Sequence, residues 1–494
     1  MRSWIVVRPP PEDFLGSCDP AAWGRILRVV TASSLTASSP NGLFLLAALL
    51  GGVGFIVFST TRLKLHPFLA LIVAAYAMGL CGGLNSIQTV AVLTEGVGQT
   101  VGHIGVVIAC GSIIGVVLEK SGGAMMLAST LVKWIGEARS ALAMSVTGAL
   151  VSIPVFCDSG FVILSPLARS LARRTGQSLA TFAVALSMGL YATHCLVPPT
   201  PGPLAAAGQL RADIGSVMLL GLLVSVPVVA VTYVYAQFIG RRIVIDPVPP
   251  GLASVDAPEP ADEPALADRV GPVGAFSPIL LPIILIALES IAALPGHPLG
   301  TGSLRMGIGF LGNAETALVL GVFLAAWVVR RQGASAFGNW CSEGLRDAGT
   351  IVLIVAAGGA FGMVLRRTAM TEIVGEGLTA LDLGHFNILL PFIVAAGLKV
   401  SIGSSTMSMI TTASLVSHLL PALGLSAGFG PVLATLAIAC GAMIVSHVND
   451  AYFWVISQMT GMSLPQGYRL ISAPSIIAGV TGIAAVGVLS LFLL

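Results

Sequence analysis

Long apolar stretches dominate the chain from Leu43 to its C-terminal end. About 20 apolar residues cross a hydrocarbon core of roughly 30 Å, and many of these stretches approach that length. In the first half they are 43–60, 67–82, 103–118, 179–197 and 217–239; in the second they are 278–294, 314–329, 349–365, 432–445 and 476–493. The pattern predicts an all-α polytopic membrane protein.

Polar and helix-breaking residues interrupt two further apolar stretches, 141–172 and 387–420. The first contains Pro154, which pushes the preceding residue out of helical geometry. Asp158 or Ser159 can then cap a half-helix that begins near Phe161. The polar run 403–406 offers a flexible glycine and hydroxyl caps for a helix from about Met407. We expect a broken helix or a re-entrant hairpin in each stretch.

The two halves of the chain share a repeated pattern. Seven residues, Gly102, Ile104, Ala109, Gly111, Gly115, Val117 and Leu118, recur 247 positions later as Gly349, Ile351, Ala356, Gly358, Gly362, Val364 and Leu365. The predicted organisation is an N-terminal extension (1–42), a first membrane repeat (43–240), an acidic proline-rich linker (241–274) and a second membrane repeat (275–494). If the broken segment returns to its own side, the first repeat crosses an odd number of times. We therefore expect repeats of inverted topology, as in many transporters.

Composition narrows the class of protein further. Hydrophobic residues make up 55% and charged residues 9% of the chain, whereas soluble domains carry roughly 25% charged residues. A net charge of +2 provides no concentrated basic face, so nucleic-acid binding is excluded. The seven cysteines have no C-x-x-C spacing and indicate neither a disulfide framework nor a metal site. We expect no cofactor.

The paired helix breaks are the candidate substrate site. Each helix N-terminus carries about half a positive charge, so two converging N-termini suit a carboxylate, with Lys399 as an additional cation. Hydroxyl groups near the breaks suit sugar-like hydroxyls; they belong to Ser159, Ser404, Ser405, Thr406 and Ser408. For each break alone, a packing kink with internally satisfied caps is the alternative. Matched breaks in both repeats favour a binding site.

A second paired feature supplies candidates for proton transfer. The run 193–203, which includes Thr193, His194 and Thr200, corresponds to the run 446–450, which ends in Asn449 and Asp450. A histidine or a desolvated carboxylate can exchange a proton in the physiological range. The proton-coupling candidates are Asp158, His194, His447 and Asp450. A structural hydrogen-bonding role is the alternative for each histidine, whereas an intramembrane aspartate is a functional candidate by default.

Two other classes of protein remain open at this level. An intramembrane hydrolase would use Ser159 as nucleophile and His194 as base, but it needs no second matched break. Replacing Ser159 by alanine would abolish a hydrolase and need not stop transport. A channel shares polar pore residues, but it cannot concentrate its substrate, and paired half-helices favour alternating access.

Four runs of this sequence, 154–161, 193–203, 403–412 and 446–454, resemble the gluconate:proton symporters of bacteria, a family within the ion transporter superfamily. The similarity extends from about Leu43 to the C-terminal end. The resemblance implies proton-driven uptake of gluconate or a related sugar acid across the inner membrane. It also implies a homodimer and an elevator-type fold, in which a transport domain moves against a scaffold. Relatives of this kind are also expected to carry other small polar carboxylates such as D-serine.

The resemblance places substrate contacts in the four runs. Together with Lys399, the predicted substrate-binding residues are Asp158, Ser159, Gly160, Thr193, His194, Thr200, Gly403, Ser404, Ser405, Thr406, Ser408, His447, Asn449 and Asp450.

Overall fold

The structure is a computed structural model that describes residues 42–136, 139–246, 270–293, 302–368, 387–448 and 450–494. The predicted N-terminal extension and most of the acidic linker lie outside the described residues, as does Asn449. Every regular element in the described ranges is a helix. The all-α prediction is therefore confirmed for that part of the chain.

Nine helices form the described part of the first half. They are α1 (Gly42–Thr61), α2 (Pro67–Cys81), α3 (Ser86–Lys120), α4 (Gly123–Ile135), α5 (Ser140–Val151), α6 (Cys157–Thr175), α7 (Leu179–Leu196), α8 (Pro201–Leu210) and α9 (Ile214–Gly240).

The described second half follows a similar order. Its helices are α10 (Pro272–Ala293), α11 (Ser303–Gly312), α12 (Ala314–Val328), α13 (Ala334–Arg367), α14 (Leu389–Ile402), α15 (Ser405–Val416), α16 (Gly430–Met443), α17 (Ala451–Thr460), α18 (Leu464–Gly467) and α19 (Ala473–Leu493). A π-helical turn, Tyr468–Ser472, joins α18 to α19.

Six of the described helical segments are long and apolar enough to cross a membrane, or seven if α11 and α12, bent by 65° at Asn313, count as one span. Several large apolar side chains are exposed, including Phe323 at 68% and Phe492 at 80%. Such a surface is stable against lipid rather than water, since soluble proteins rarely expose extended apolar patches. The chain is a multi-pass membrane protein.

Helices α3 and α13 pack antiparallel, with an ion pair at each end. Arg367 at the end of α13 lies 3.2 Å from Glu95 near the start of α3, and Lys120 at the end of α3 lies 2.9 Å from Glu343 near the start of α13. The two basic residues are 247 positions apart, which is the offset of the sequence repeat, and the two glutamates are 248 positions apart. The two ends of this helix pair are therefore built alike.

Close backbone contacts between α3 and α13 also occur as two similar contacts, one near each end of the helix pair. A Cβ atom on Gly96 would lie 2.7 Å from Ala360 Cα, and one on Gly344 would lie 2.9 Å from Ile113 Cα. The two residues that the glycines face are 247 positions apart, and the glycines themselves are 248 apart, so the two contacts correspond to within one residue of the repeat. Glycine is required at both positions because a larger residue would force the helices apart.

The predicted starts of these two helices were wrong. Helix α3 begins at Ser86 rather than at residue 103, and α13 begins at Ala334 rather than at residue 349. A capping box explains the first case, since Asn85 and Gln88 satisfy each other's backbone N–H groups. Polar residues lower the hydropathy of these first turns without ending the helix. The short helices α4, α8, α11 and α17 were also absent from the prediction.

Candidate substrate-binding site at two helix breaks

The first break lies between α5, which ends at Val151, and α6, which begins at Cys157. The Ser152 hydroxyl donates a hydrogen bond to the carbonyl oxygen of Val155 at 2.9 Å and closes the turn around Pro154. Extended backbone at Phe156 (φ −60°, ψ 139°) starts α6, and no side chain caps it. The predicted start near Phe161 and the predicted caps were therefore wrong.

Asp158 and Ser159 lie inside the first turn of α6 rather than before it. Asp158 is half-buried, and its Oδ1 atom is buried without a hydrogen-bond partner among the described residues. The first break thus presents a carboxylate with one buried oxygen that accepts no hydrogen bond from the described residues.

The second break lies between α14, which ends at Ile402, and α15, which begins at Ser405. Gly403 has φ 85°, a left-handed conformation that other residues rarely adopt. The Ser404 hydroxyl caps α15 by accepting a hydrogen bond from the Met407 backbone N–H at 3.3 Å. The predicted hydroxyl cap is confirmed, and the helix begins two residues before Met407.

A buried ion pair joins the second break to the start of α17. Lys399 is fully buried, and its Nζ atom lies 2.6 Å from Asp450 Oδ2. Nζ also donates to the carbonyl oxygen of Gly403 at 2.7 Å. Asp450 accepts hydrogen bonds from the Ser446 hydroxyl at 2.5 Å and from the Tyr452 backbone N–H at 3.1 Å. Asp450 therefore balances the charge of Lys399, the residue that the sequence suggested as an additional cation for a carboxylate.

Tyr191 of α7 completes the wall of the second break. Its hydroxyl lies 2.7 Å from Ser405 Oγ and donates to the carbonyl oxygen of Ala442 at 3.2 Å. Its ring centroid lies 5.8 Å from Lys399 Nζ. The sequence prediction missed this residue. A single tyrosine in a fully buried helix of mostly small and apolar residues was the signal that could have identified it.

Aromatic contacts bring the two breaks together. The rings of Phe161 in α6 and Tyr452 in α17 pack edge to face with centroids 6.4 Å apart, and Tyr191 lies 5.5 Å from Tyr452. Asp158 interacts electrostatically with both Asp450 and Lys399. Residues from four distant parts of the sequence thus meet at one centre.

Three predicted contacts use their hydroxyls to hold the backbone. Thr193 donates to the carbonyl oxygen of Ala149 at 2.7 Å, and Ser408 donates to that of Ala395 at 2.6 Å. The Thr200 hydroxyl lies 2.8 Å from the carbonyl oxygen of His194 and 2.7 Å from that of Val197, within the turn between α7 and α8. These side chains shape the site rather than offering hydroxyls to a ligand.

The two histidines predicted for the site differ in burial and in hydrogen bonding. His194 is buried beside Phe156, with ring centroids 6.0 Å apart, and its Nδ1 atom has no hydrogen-bond partner in the described ranges. His447 is half-buried, and its Nε2 atom lies 3.1 Å from the carbonyl oxygen of Val400. His194 is the histidine that faces the first break.

Close packing positions the remaining predicted residues. A Cβ atom on Gly160 would lie 2.6 Å from Leu190, and one on Gly202 of α8 would lie 3.5 Å from Thr406 Cα. Helix α3 supports both turns of the first half, because Gly115 faces Pro154 and Gly111 faces Pro199. Among the described residues, no cluster of three or more histidine, cysteine or acidic side chains can hold a metal ion.

Comparisons with known proteins identify the family. Residues 43–492 match the family described as GntP family permease. A gluconate permease of Pseudomonas aeruginosa is 35% identical over 463 residues, which cover 92% of this chain and 99% of that protein. The D-serine transporter DsdX of Escherichia coli is 31% identical over 454 residues, covering 91% and 98% respectively.

The fold is also similar to a solved transporter structure. The YdaH transporter of Alcanivorax borkumensis superposes with a TM-score of 0.59 at 19% identity, covering 86% of this chain and 98% of that one. Permeases and transporters, rather than hydrolases, are thus the relatives of this chain. The chain belongs to the GntP family of permeases.

Proposed function

We propose that this permease carries gluconate or a related sugar acid into a bacterial cell across the inner membrane, together with protons. The observation that carries the proposal is the contrast between charges at the two breaks. Asp450 neutralises Lys399, whereas Asp158 forms no ion pair in the described ranges. The charge of Asp158 therefore sets the net charge of the site.

The helix ends attract an anion only when Asp158 is neutral. Two unit charges 4 Å apart interact by about 4 kcal/mol at an effective dielectric constant of 20. A helix N-terminus contributes roughly 0.3–1 kcal/mol to anion binding, up to about 2 kcal/mol in partly buried geometry. The N-termini of α6 and α15 do not outweigh the repulsion from an ionised Asp158. Proton binding to Asp158 removes that repulsion and thereby couples the proton to the substrate.

A sugar acid fits the other groups near the centre. Its carboxylate would accept hydrogen bonds from free backbone N–H groups in the first turn of α6, which no side chain caps. Its hydroxyls would bond the side chains of Ser404, Ser405 and Thr406 at the start of α15. Asp450 and Lys399 hold the geometry of that second helix end.

We also propose that the two halves are inverted repeats and that transport follows an elevator movement. The equivalent ion pairs and glycine contacts of α3 and α13 support the first point. An axis that exchanges two antiparallel membrane-spanning helices must run perpendicular to them, and hence in the membrane plane. The resemblance to gluconate:proton symporters supports the elevator movement and a homodimer.

D-serine, or another small polar carboxylate, is the second candidate substrate. The 31% identity to a D-serine transporter favours it. D-serine carries an ammonium group, which would pair with an ionised Asp158. Uptake of D-serine would then weaken when Asp158 is protonated, whereas uptake of gluconate would strengthen.

The test is uptake of labelled gluconate into proteoliposomes under an inward proton gradient. We expect accumulation above the external concentration, its loss on addition of a protonophore, and competition by unlabelled sugar acids. Competition by D-serine alone would favour the second candidate. Equilibration without accumulation would indicate a channel, and the absence of uptake and competition by every compound would refute the assigned substrate class.

A further inference from the structure

A cavity of about 820 Å³ lies away from the helix breaks, among α3, α8, α9, α13 and the helices α10–α12. This volume is within the range of roughly 300–1,000 Å³ typical of small-molecule sites. Thr200 precedes α8 near the central site, and Arg211 follows α8 at the cavity. Because a ten-residue helix is about 15 Å long, the two regions are separate and lie at opposite ends of one helix.

Two arginines line the cavity and interact electrostatically with each other. They are Arg211, at the end of α8, and Arg366, near the end of α13. Neither forms an ion pair with a carboxylate in the part of the chain that the structure describes, and the buried Nε atom of Arg366 has no hydrogen-bond partner there. Two guanidinium groups in one cavity repel each other, and an anion bound between them would offset that repulsion.

The two acidic side chains of the cavity balance only part of this positive charge. Asp213 accepts a hydrogen bond from the Ser216 backbone N–H at 2.6 Å and caps α9. Glu289 pairs with Arg305 at 3.4 Å. Glu289 is balanced by Arg305 and Asp213 keeps its charge, so Arg211 and Arg366 leave the cavity lining with one positive charge in excess.

The backbone conformation of Arg211 also indicates a role for its side chain in the cavity. Its φ of 54° places an arginine in the left-handed conformation that glycine usually adopts after a helix. Such a conformation costs a non-glycine residue about 1 kcal/mol or more. The guanidinium group contributes to the cavity lining, which a glycine at this position would not.

We propose that this cavity is a vestibule that collects the substrate anion, with Arg211 and Arg366 binding its carboxylate before it reaches the helix breaks. The identity of the anion as a sugar acid rests on the proposed function. The bidentate geometry of arginine suits a carboxylate, and an excess of positive charge in a cleft raises the association rate of an anion.

A cysteine probe can test the vestibule independently of transport. Gly102 lines the cavity, and a Cβ atom there would have no neighbour within 4 Å. A Gly102→Cys variant would be made in a background that carries serine at Cys18, Cys81 and Cys341. Its labelling rates would be compared for an anionic and a cationic methanethiosulfonate reagent of similar size.

The control is Arg346→Gln, because Arg346 is an exposed arginine on α13 itself and is about 30 Å from Arg366 along the helix. We expect Arg211→Gln with Arg366→Gln to lower the ratio of anionic to cationic labelling rates by roughly tenfold or more, and the control to leave it unchanged. The same pair should raise the KM for gluconate uptake.

An unchanged labelling ratio in the double variant would overturn the vestibule, whether or not the wild-type protein transports gluconate. A lowered ratio with unchanged KM would overturn the capture role. If no sugar acid is transported at all, the proposed function fails, and a lowered ratio still supports an anion-collecting vestibule.

Discussion

The two helix breaks occupy equivalent positions but differ in how their polar groups are satisfied. At the second break, Ser404 caps α15 and Asp450 balances Lys399 within a network of short hydrogen bonds. At the first break, no side chain caps α6, and Asp158 has an unpaired carboxylate oxygen among the described residues.

This difference separates structural support from chemistry. A buried network with all members satisfied holds a unique geometry, whereas an unpaired buried polar group raises the energy of the protein. Such a group persists where a ligand or a proton satisfies it for part of the time. We therefore assign positioning to the second break and proton binding to the first.

The largest effect is expected from breaking the buried pair. Lys399→Met or Asp450→Asn alone leaves one buried charge without its partner, which should lower the free energy of unfolding by about 3–5 kcal/mol. The double variant should recover most of that loss, because no unpaired charge remains. Unfolding in detergent micelles at increasing SDS concentration measures all three variants. Additive losses would show that the two residues do not stabilise each other.

The corresponding change at the first break should leave stability almost unaffected. Asp158→Asn removes no ion pair, so the free energy of unfolding should change by less than about 1 kcal/mol. Accumulation of gluconate should nevertheless be lost. A destabilisation as large as that of Asp450→Asn would mean that Asp158 has a structural role, and the contrast between the breaks would disappear.

The helix caps give a smaller contrast. Ser404→Ala removes the side-chain cap of α15 and should lower the free energy of unfolding by about 1 kcal/mol. Ser159→Ala removes no cap, because this residue lies within α6, and its effect should be smaller. Equal effects in the same unfolding assay would contradict the difference in capping.

The smallest effect is expected at the exposed ends of α3 and α13. Arg367→Gln removes an ion pair with Glu95 whose side chains are 56% and 39% exposed. Exposed ion pairs contribute roughly 0–1 kcal/mol to stability. The free energy of unfolding should therefore change far less in Arg367→Gln than in Lys399→Met. A comparable loss would show that burial does not determine the strength of these pairs.

Hydropathy alone predicted the helices that lie wholly in apolar sequence. Helix α7 spans Leu179–Leu196 where 179–197 was predicted, because its apolar sequence begins directly after the cap residue Ser178 and ends before Pro198. Prediction failed for α3, whose first turns contain Gln88 and Glu95. Hydrogen bonds of the helix cap, rather than hydropathy, set that boundary.

The candidate site was predicted in part for a similar reason. Polar interruptions identified Asp158, Lys399 and Asp450, but not the pairing of the last two, which are 51 residues apart. Tyr191 was missed although it is the one tyrosine of α7, and Arg211 was missed because no motif marks it in the sequence. Their surroundings are formed by tertiary packing.

The most direct test of the central claim is the number of protons that enter with each gluconate, measured with a pH-sensitive dye trapped in proteoliposomes. Wild-type protein should acidify the lumen as labelled gluconate enters. Asp158→Asn should still exchange labelled for unlabelled gluconate, which shows that it is folded, but should bring in almost no protons. An exposed acidic residue of α12 provides the control, Glu315→Gln, which should behave as wild type. An unchanged ratio of protons to gluconate in Asp158→Asn would contradict the assignment of proton coupling to Asp158.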